Sequence, residues 1–174
     1  MTYIAKPYIL TCIYKSRTIM EPALEPLDLS GTGYCASFNF RRVSRAVTAL
    51  FDDALQESGL RSTQFAILTA VAKTQPVSIS TISSILVIDA TTLTRSLHLL
   101  RKLGFLTISP RGAMRQRFLN LTSDGEKALA VAIPLWRNIQ QRFVDQIGDA
   151  QWRTLRAQLE GLSKLAVSME ENSK

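Results

Sequence analysis

The stretch "DATTLTRSLHLLRKLG" runs from Asp89 to Gly104 and carries two different faces in one helical run. Asp89 is a residue type that caps helix N-termini, and Gly104 is the type that ends them. Counting about 100° per residue from Leu93, Leu97 and Leu100 fall within about 40° of it. On the same count Thr91, Arg95, His98 and Lys102 lie at about 140° to 200°, on the opposite side. One face is leucine; the other is hydroxyl, guanidinium, imidazole and ammonium. Alone, this helix is either a core element with a solvated back or one that offers its polar face to a partner.

Its neighbours narrow the choice. After Gly104 come two β-prone runs, "FLTI" (Phe105 to Ile108) and "FLNLT" (Phe118 to Thr122). Between them "SPRGAMRQR" (Ser109 to Arg117) places Arg111, Arg115 and Arg117 at a hairpin tip. Before the helix, Ser78 opens a short helix with Ile79, Ile82 and Leu86 inward. Earlier still, Ser62 or Thr63 can cap "STQFAILTAVAK", with Phe65, Leu68 and Ala72 on one face. A long helical pattern from about Tyr34 to Ser58 repeats Phe40, Val43, Val47, Leu50 and Ala54, shows Arg41, Arg42, Arg45, Asp52 and Asp53 on its surface, and stops at Gly59. Past the hairpin, Ser123 to Glu126 has capping-box spacing and starts a helix to about Ile147, in which Pro134 predicts a kink. Asp149 is the expected cap of a last helix striped by Trp152, Leu155, Leu159 and Leu162. Three helices followed by a hairpin make a winged helix-turn-helix. The expected fold is therefore mainly α with a small two-stranded β-wing and flanking helices.

Charge coincides with that arrangement. The chain carries a formal charge of +7. Residues 78–122 hold six basic groups (Arg95, Arg101, Lys102, Arg111, Arg115, Arg117) against Asp89 alone, whereas residues 123–174 balance. A basic patch confined to the helix and wing is the footprint of a phosphate-backbone binder. Arginine and hydroxyl groups on such a helix can read base edges in the major groove. Unpaired wing arginines can take their counter-charge from phosphates. Ser78 and Ser80, at the head of the short helix, and Thr92 and Thr94, on the polar helix, complete the expected DNA-facing set.

Other classes recede. An apolar share of 46% with 20% charged residues reads as a globular, soluble chain. No apolar run nears the ~18 residues of a membrane span, and no membrane partner is expected. Cys12 and Cys35 form no disulfide framework and fit a reducing, cytoplasmic setting. "MTYIAKPYILTCIYKSRTIM" is interrupted by Lys6, Pro7, Lys15 and Arg17 and does not read as a signal peptide. It is either a flexible arm or an extension upstream of a start at Met20. "EPALEPLDLSGTG" (Glu21 to Gly33) reads as a linker. No P-loop, GxGxxG, HExxH, CxxC or GxSxG signature is present, so no enzyme and no cofactor is expected. With His98 the single histidine, no metal is expected either.

The run "STQFAILTAV…ISTISSILVIDATTLTRSLHLLRKLGFLTIS…RQRFLNLTSDGEKAL" resembles the MarR family of bacterial transcription regulators. Gln64, Phe65, Leu68, Thr92, Thr94, Arg95, Leu100, Gly104, Arg115, Leu121, Thr122 and Gly125 fall on that family's pattern, over roughly Tyr34 to Val167. The resemblance implies a cytoplasmic homodimer that binds double-stranded DNA at a pseudo-palindromic operator, a repressor released by a small molecule. It implies a division into residues 1–33 as arm or linker, 34–58 and 123–174 as dimerisation helices, and 60–122 as the DNA-binding domain. The last-helix stripe suits a dimer contact, and an intrachain core is the alternative. One departure stands out: the family's wing arginine is usually preceded by a carboxylate, and here that position is Ala113.

The same resemblance implies an effector, for many relatives a small aromatic ligand. Phe38, Phe40, Arg41, Arg45 and Trp136 are candidates to receive it, core packing being the other reading of the aromatic ones. A peroxide-sensing branch uses a cysteine near the start of the first helix, a position that falls on Ser37, two residues after Cys35. A thiol reacts as its thiolate, a form favoured beside a guanidinium such as Arg41 or at a helix N-terminus. Cys35 is thus either a redox sensor or an inert, partly buried cysteine. An architectural DNA-binding protein without an effector is the remaining alternative.

Overall fold

The computed structural model describes residues 27–111 and 116–172, with only the backbone described at Pro110, Arg111 and Gln116. The chain divides into two compact units, Met1–Asn39 and Phe40–Lys174. In the first, Gly31 takes a positive φ of 76° to enter a 3-10 turn at Thr32–Tyr34. The Asn39 side chain then donates to the carbonyls of Gly33 and Cys35, at 2.9 and 3.0 Å, over the first turn of helix α1 (Ala36–Ala54).

The second unit continues α1, then runs α2 (Ser62–Thr74), β1 (Val77–Ser78), α3 (Ile79–Leu86), α4 (Ala90–Lys102), β2 (Leu106–Arg111), β3 (Gln116–Leu121), α5 (Ser123–Ile147) and α6 (Asp149–Glu171). A 3-10 turn at Gln56–Ser58 and Gly59 in the left-handed region lead from α1 to α2. The expected cap of α2 is corrected here. Ser62 is the first helical residue, and its amide and hydroxyl both donate to the Asp52 carboxylate at 2.7 Å. The cap is thus tertiary, lent by α1, and Asp52 is not a plain surface charge. Gln64 closes the same end by accepting the Arg61 amide at 2.8 Å. On α2 the inward residues are Phe65, Ile67, Leu68, Ala70 and Val71, whereas Ala72 faces solvent.

These residues, with Leu55, Leu60, Val77, Ile82, Leu93, Leu97, Leu100, Leu106, Leu119, Leu129 and Ala132, form one continuous core under the wing. The sheet has three strands rather than the two expected, in the antiparallel order β1-β3-β2. Val77 pairs with Leu119 and Ser78 with Phe118, while β2 and β3 pair from Leu106↔Leu121 to Arg111↔Gln116. Two residues are too short a run to show strand alternation in a sequence.

Helix α5 begins one residue earlier than its capping-box spacing indicated: Thr122, not Ser123, is the N-cap, accepting the Gly125 amide at 3.1 Å. Pro134 lies inside α5, which runs through it as one helix. The cap of α6 also shifts: Gly148 occupies it and Asp149 is the first helical residue. Trp152 meets Phe143 edge-on at 5.9 Å, and Phe143 meets Phe51 edge-on at 6.3 Å, so rings link α6, α5 and α1. Past Leu155, which is half-buried, every residue of α6 is exposed. Neither α1 nor α6 contains a buried residue, and Phe40, Val43 and Leu50, expected as an apolar face, are exposed.

Candidate nucleic-acid interface

The helix pair α3 and α4 is held by its connecting turn. Ser78 accepts the Thr81 amide at 3.1 Å and caps α3. At the other end Ser83 donates its hydroxyl to the Ile88 carbonyl at 2.6 Å, and the Ile88 amide returns to the Ser83 carbonyl at 3.1 Å. Val87 makes the turn with a φ of 51°, a conformation that costs a β-branched residue roughly 1–2 kcal/mol. Asp89 then accepts the amides of Thr91 and Thr92 at 3.0 and 2.9 Å and starts α4 as expected. The hydroxyl and amide of Thr92, with the amide of Thr91, hold the Asp89 carboxyl below its ordinary range.

On α4 the leucines and cations separate as the spacing indicated. Leu93, Leu97 and Leu100 are fully buried, while Thr91, Thr92, Thr94, Arg95, His98 and Lys102 are exposed. Among the described residues Arg95 and Lys102 have no acidic partner; the ion pairs are Arg61–Asp52, Lys127–Asp124 and Lys164–Glu160. Thr94 donates its hydroxyl to the Ala90 carbonyl at 2.6 Å, so toward a ligand it can only accept. His98 Nδ1 lies 3.5 Å from the Arg101 guanidinium, which places a third cation beside the polar face. The helix ends at Gly104 with a φ of 79°, and the Phe105 amide bonds back to Leu100 at 3.0 Å, turning the chain directly into the wing.

Arg117 is exposed on β3 and has no acidic partner among the described residues. Of the other wing arginines, Arg111 lies on β2 with its side chain outside the described part, and Arg115 and Ala113 lie outside the described residues altogether. Ser80 is exposed, but Ser78 is half-buried and its hydroxyl is taken up by the α3 cap and by the Ser80 and Thr81 hydroxyls at 2.9 and 2.7 Å. Ser78 therefore serves the helix first.

Within the Phe40–Lys174 unit the effector candidates line separate hollows. Arg41 and Arg45 line a hollow of about 390 Å³ with Phe40 and Ser44. Trp136 lines a different one, of about 620 Å³, with Pro134, Arg137, Asn138, Gln140 and Gln141. Trp136 also stacks on Phe65 at 5.9 Å and packs against the core, so its ring has a structural role. Phe38 and Cys35 belong to the Met1–Asn39 unit, and both are exposed; Cys35 is not the partly buried thiol of the inert reading. No group of three or more metal-ligating side chains occurs among the described residues, and no described helix is long and apolar enough to cross a membrane.

A helix pair with a fixed turn, a second helix with leucines inside and exposed cations outside, and a hairpin beside it define a winged helix-turn-helix protein. No protein-family model matches the chain, and no curated protein matches it. Solved structures do. The Mycobacterium tuberculosis transcriptional regulator MosR, in complex with DNA, is 31% identical, with 78% of this chain and 98% of that one covered at a TM-score of 0.72. A MarR-family regulator from Rhodococcus is 19% identical over 72% of this chain and 90% of its own, at 0.62. The Streptomyces coelicolor regulator PcaV, in complex with its natural ligand, is 18% identical over 82% and 99%, at 0.70. The last two share the fold. This chain belongs to the MarR family of winged-helix transcription regulators.

Proposed function

We propose that the protein is a homodimeric repressor that binds a pseudo-palindromic operator in double-stranded DNA through α4 and the wing. It is a binding protein of the cytoplasm rather than an enzyme. The observation that carries this reading is the exposed cation set of α4 and β3, without an acidic partner among the described residues, on a helix-turn-helix whose own core is complete. In this reading Thr91, Thr92, Thr94, Arg95 and His98 serve base edges and Ser80, Lys102, Arg111, Arg115 and Arg117 serve phosphates, while Ser78 caps the helix that carries Ser80. Residues 60–122 are the DNA-binding domain, and residues 34–58 and 123–174 the dimerisation region. The apolar positions left open on α1 and α6 support the second copy.

Release by a small aromatic ligand rests on Arg41 and Arg45, which line one hollow with Phe40; the PcaV neighbour, solved in complex with its natural ligand, supports control by a ligand. Phe38 and Trp136 are the remaining candidates for its ring. The exposed thiol of Cys35 supports a second reading, release by oxidation; equal release of wild type and Cys35→Ser by an organic hydroperoxide overturns it.

The test is a titration of operator DNA, selected from a random pool, against unrelated DNA. A regulator prefers its operator by ~10³-fold or more, whereas an architectural protein does not. Arg95→Ala should weaken operator binding by about 1–3 kcal/mol and narrow the preference. Equal losses on both DNAs would reduce Arg95 to a phosphate contact.

A further inference from the structure

The root of the wing is fastened from two sides. Continuing the β1–β3 register past Pro76 sets Gln75 opposite Leu121. The rung there is made by a side chain: the Leu121 amide donates to Gln75 Oε1 at 2.8 Å, across 46 residues of chain. On the other side the Thr122 amide donates to the Phe105 carbonyl at 3.2 Å, and its hydroxyl donates to the Gly104 carbonyl at 2.6 Å. Gly125 completes this side, since a Cβ there would collide with the Phe105 carbonyl oxygen. Gly104 and Phe105 directly follow Leu103, the C-cap of α4. The exit of β3 is thus tied both to the recognition helix and, through Gln75, to the end of α2.

A two-stranded ribbon is marginally stable by itself. Its cations help binding only to the extent that their orientation is fixed beforehand, because ordering them on DNA costs free energy. We infer that Gln75 is a positioning residue for DNA recognition: its side-chain bond to Leu121 fixes the wing relative to α4, so that Arg117 reaches the backbone when α4 enters the groove. This rests on the reading that the wing meets phosphate. It gives a role in recognition to a residue outside both the helix and the wing.

Two measurements test it. Amide hydrogen exchange of the free protein should show Leu121 exchanging about tenfold faster in Gln75→Met, which lacks the acceptor, and at the wild-type rate in Gln75→Glu, which keeps it. Operator affinity, titrated against salt, should fall about three- to tenfold in Gln75→Met. Arg117→Ala should flatten the log–log salt slope by up to ~0.9 per wing in wild type, and by less than half as much in Gln75→Met. Unchanged Leu121 exchange, or the same Arg117→Ala effect in both backgrounds, overturns the inference. Absence of operator preference in the wild type is a separate result: it removes the proposed function, while the exchange measurement still decides whether Gln75 holds the wing.

Discussion

The winged lobe and the two terminal helices use their leucines in opposite ways. On α4, Leu93, Leu97 and Leu100 are completely buried, and the polar face carries the charge. On α6, Leu159 and Leu162 repeat at the same helical spacing yet are 39% and 46% exposed, with Leu165 beyond them also exposed. Helix α1 matches α6, with Phe40, Val43 and Leu50 exposed. An apolar stripe marks a face that wants covering, and whether one chain covers it depends on what the rest of the fold brings there. The lobe closes its own core. The terminal helices leave theirs exposed, the faces that the proposed dimer would cover.

The strongest challenge to that contrast is Leu159→Asp with Leu162→Asp. Neither leucine supports the core of the lobe, so the variant should keep its lobe folded while becoming monomeric. Operator binding should drop by roughly 10²–10⁴-fold, the effect of separating two linked half-site contacts. Sedimentation showing an intact dimer with full operator affinity would place those leucines outside any interface.

A matched pair of truncations sharpens it. Leu97→Ala should cost about 2–5 kcal/mol of unfolding free energy through the cavity it leaves, with no dependence of the loss on protein concentration. Leu162→Ala should cost less, and its thermal midpoint should recover as concentration rises, because in the proposed dimer its partner is another chain. Concentration dependence in both variants, or in neither, would erase the distinction.

The smallest effect concerns the join between α1 and the lobe. Partial burial alone would push the Asp52 carboxyl up; the Ser62 amide and hydroxyl and the Arg61 guanidinium outweigh it and hold the group below the ordinary carboxylate range. A depressed folded value contributes stability that is present above the unfolded value of about 3.9 and is lost as pH falls through the folded one. Asp52→Ala should therefore lower stability by roughly 0.5–2 kcal/mol at neutral pH and flatten the acid limb of the stability curve below about pH 4. An unchanged acid limb would leave the cap without an energetic role.

Elements whose signals are local were legible from the sequence. Asp89 bonds the amides two and three residues on, and the α4 leucines follow a period that one helix imposes by itself. Signals that cross the chain were not. Asp52 caps a helix ten residues away, Gln75 reaches Leu121, and β1 is a strand only because β3 lies beside it. The α5 and α6 caps differ by one residue because Thr122 and Ser123, like Gly148 and Asp149, offer neighbouring residues that each suit a cap. For the site, periodicity and charge marked Arg95, His98, Lys102 and Arg117, but not that Ser78 is occupied with its own helix or that Trp136 stacks on Phe65. An apolar stripe in a sequence also reads alike whether its partner is the same chain or another, and the α6 stripe became distinguishable from the α4 stripe only by its exposure.

In the proposed homodimer the winged lobe is complete in one chain, and α1 and α6 are completed by a second. The most direct measurement of that arrangement is the solution mass of the full-length wild-type protein by sedimentation equilibrium at micromolar concentration, without DNA. A mass of two chains, falling to one chain in Leu159→Asp with Leu162→Asp, is the result expected. A wild-type protein with the mass of one chain that still prefers its operator would contradict the account.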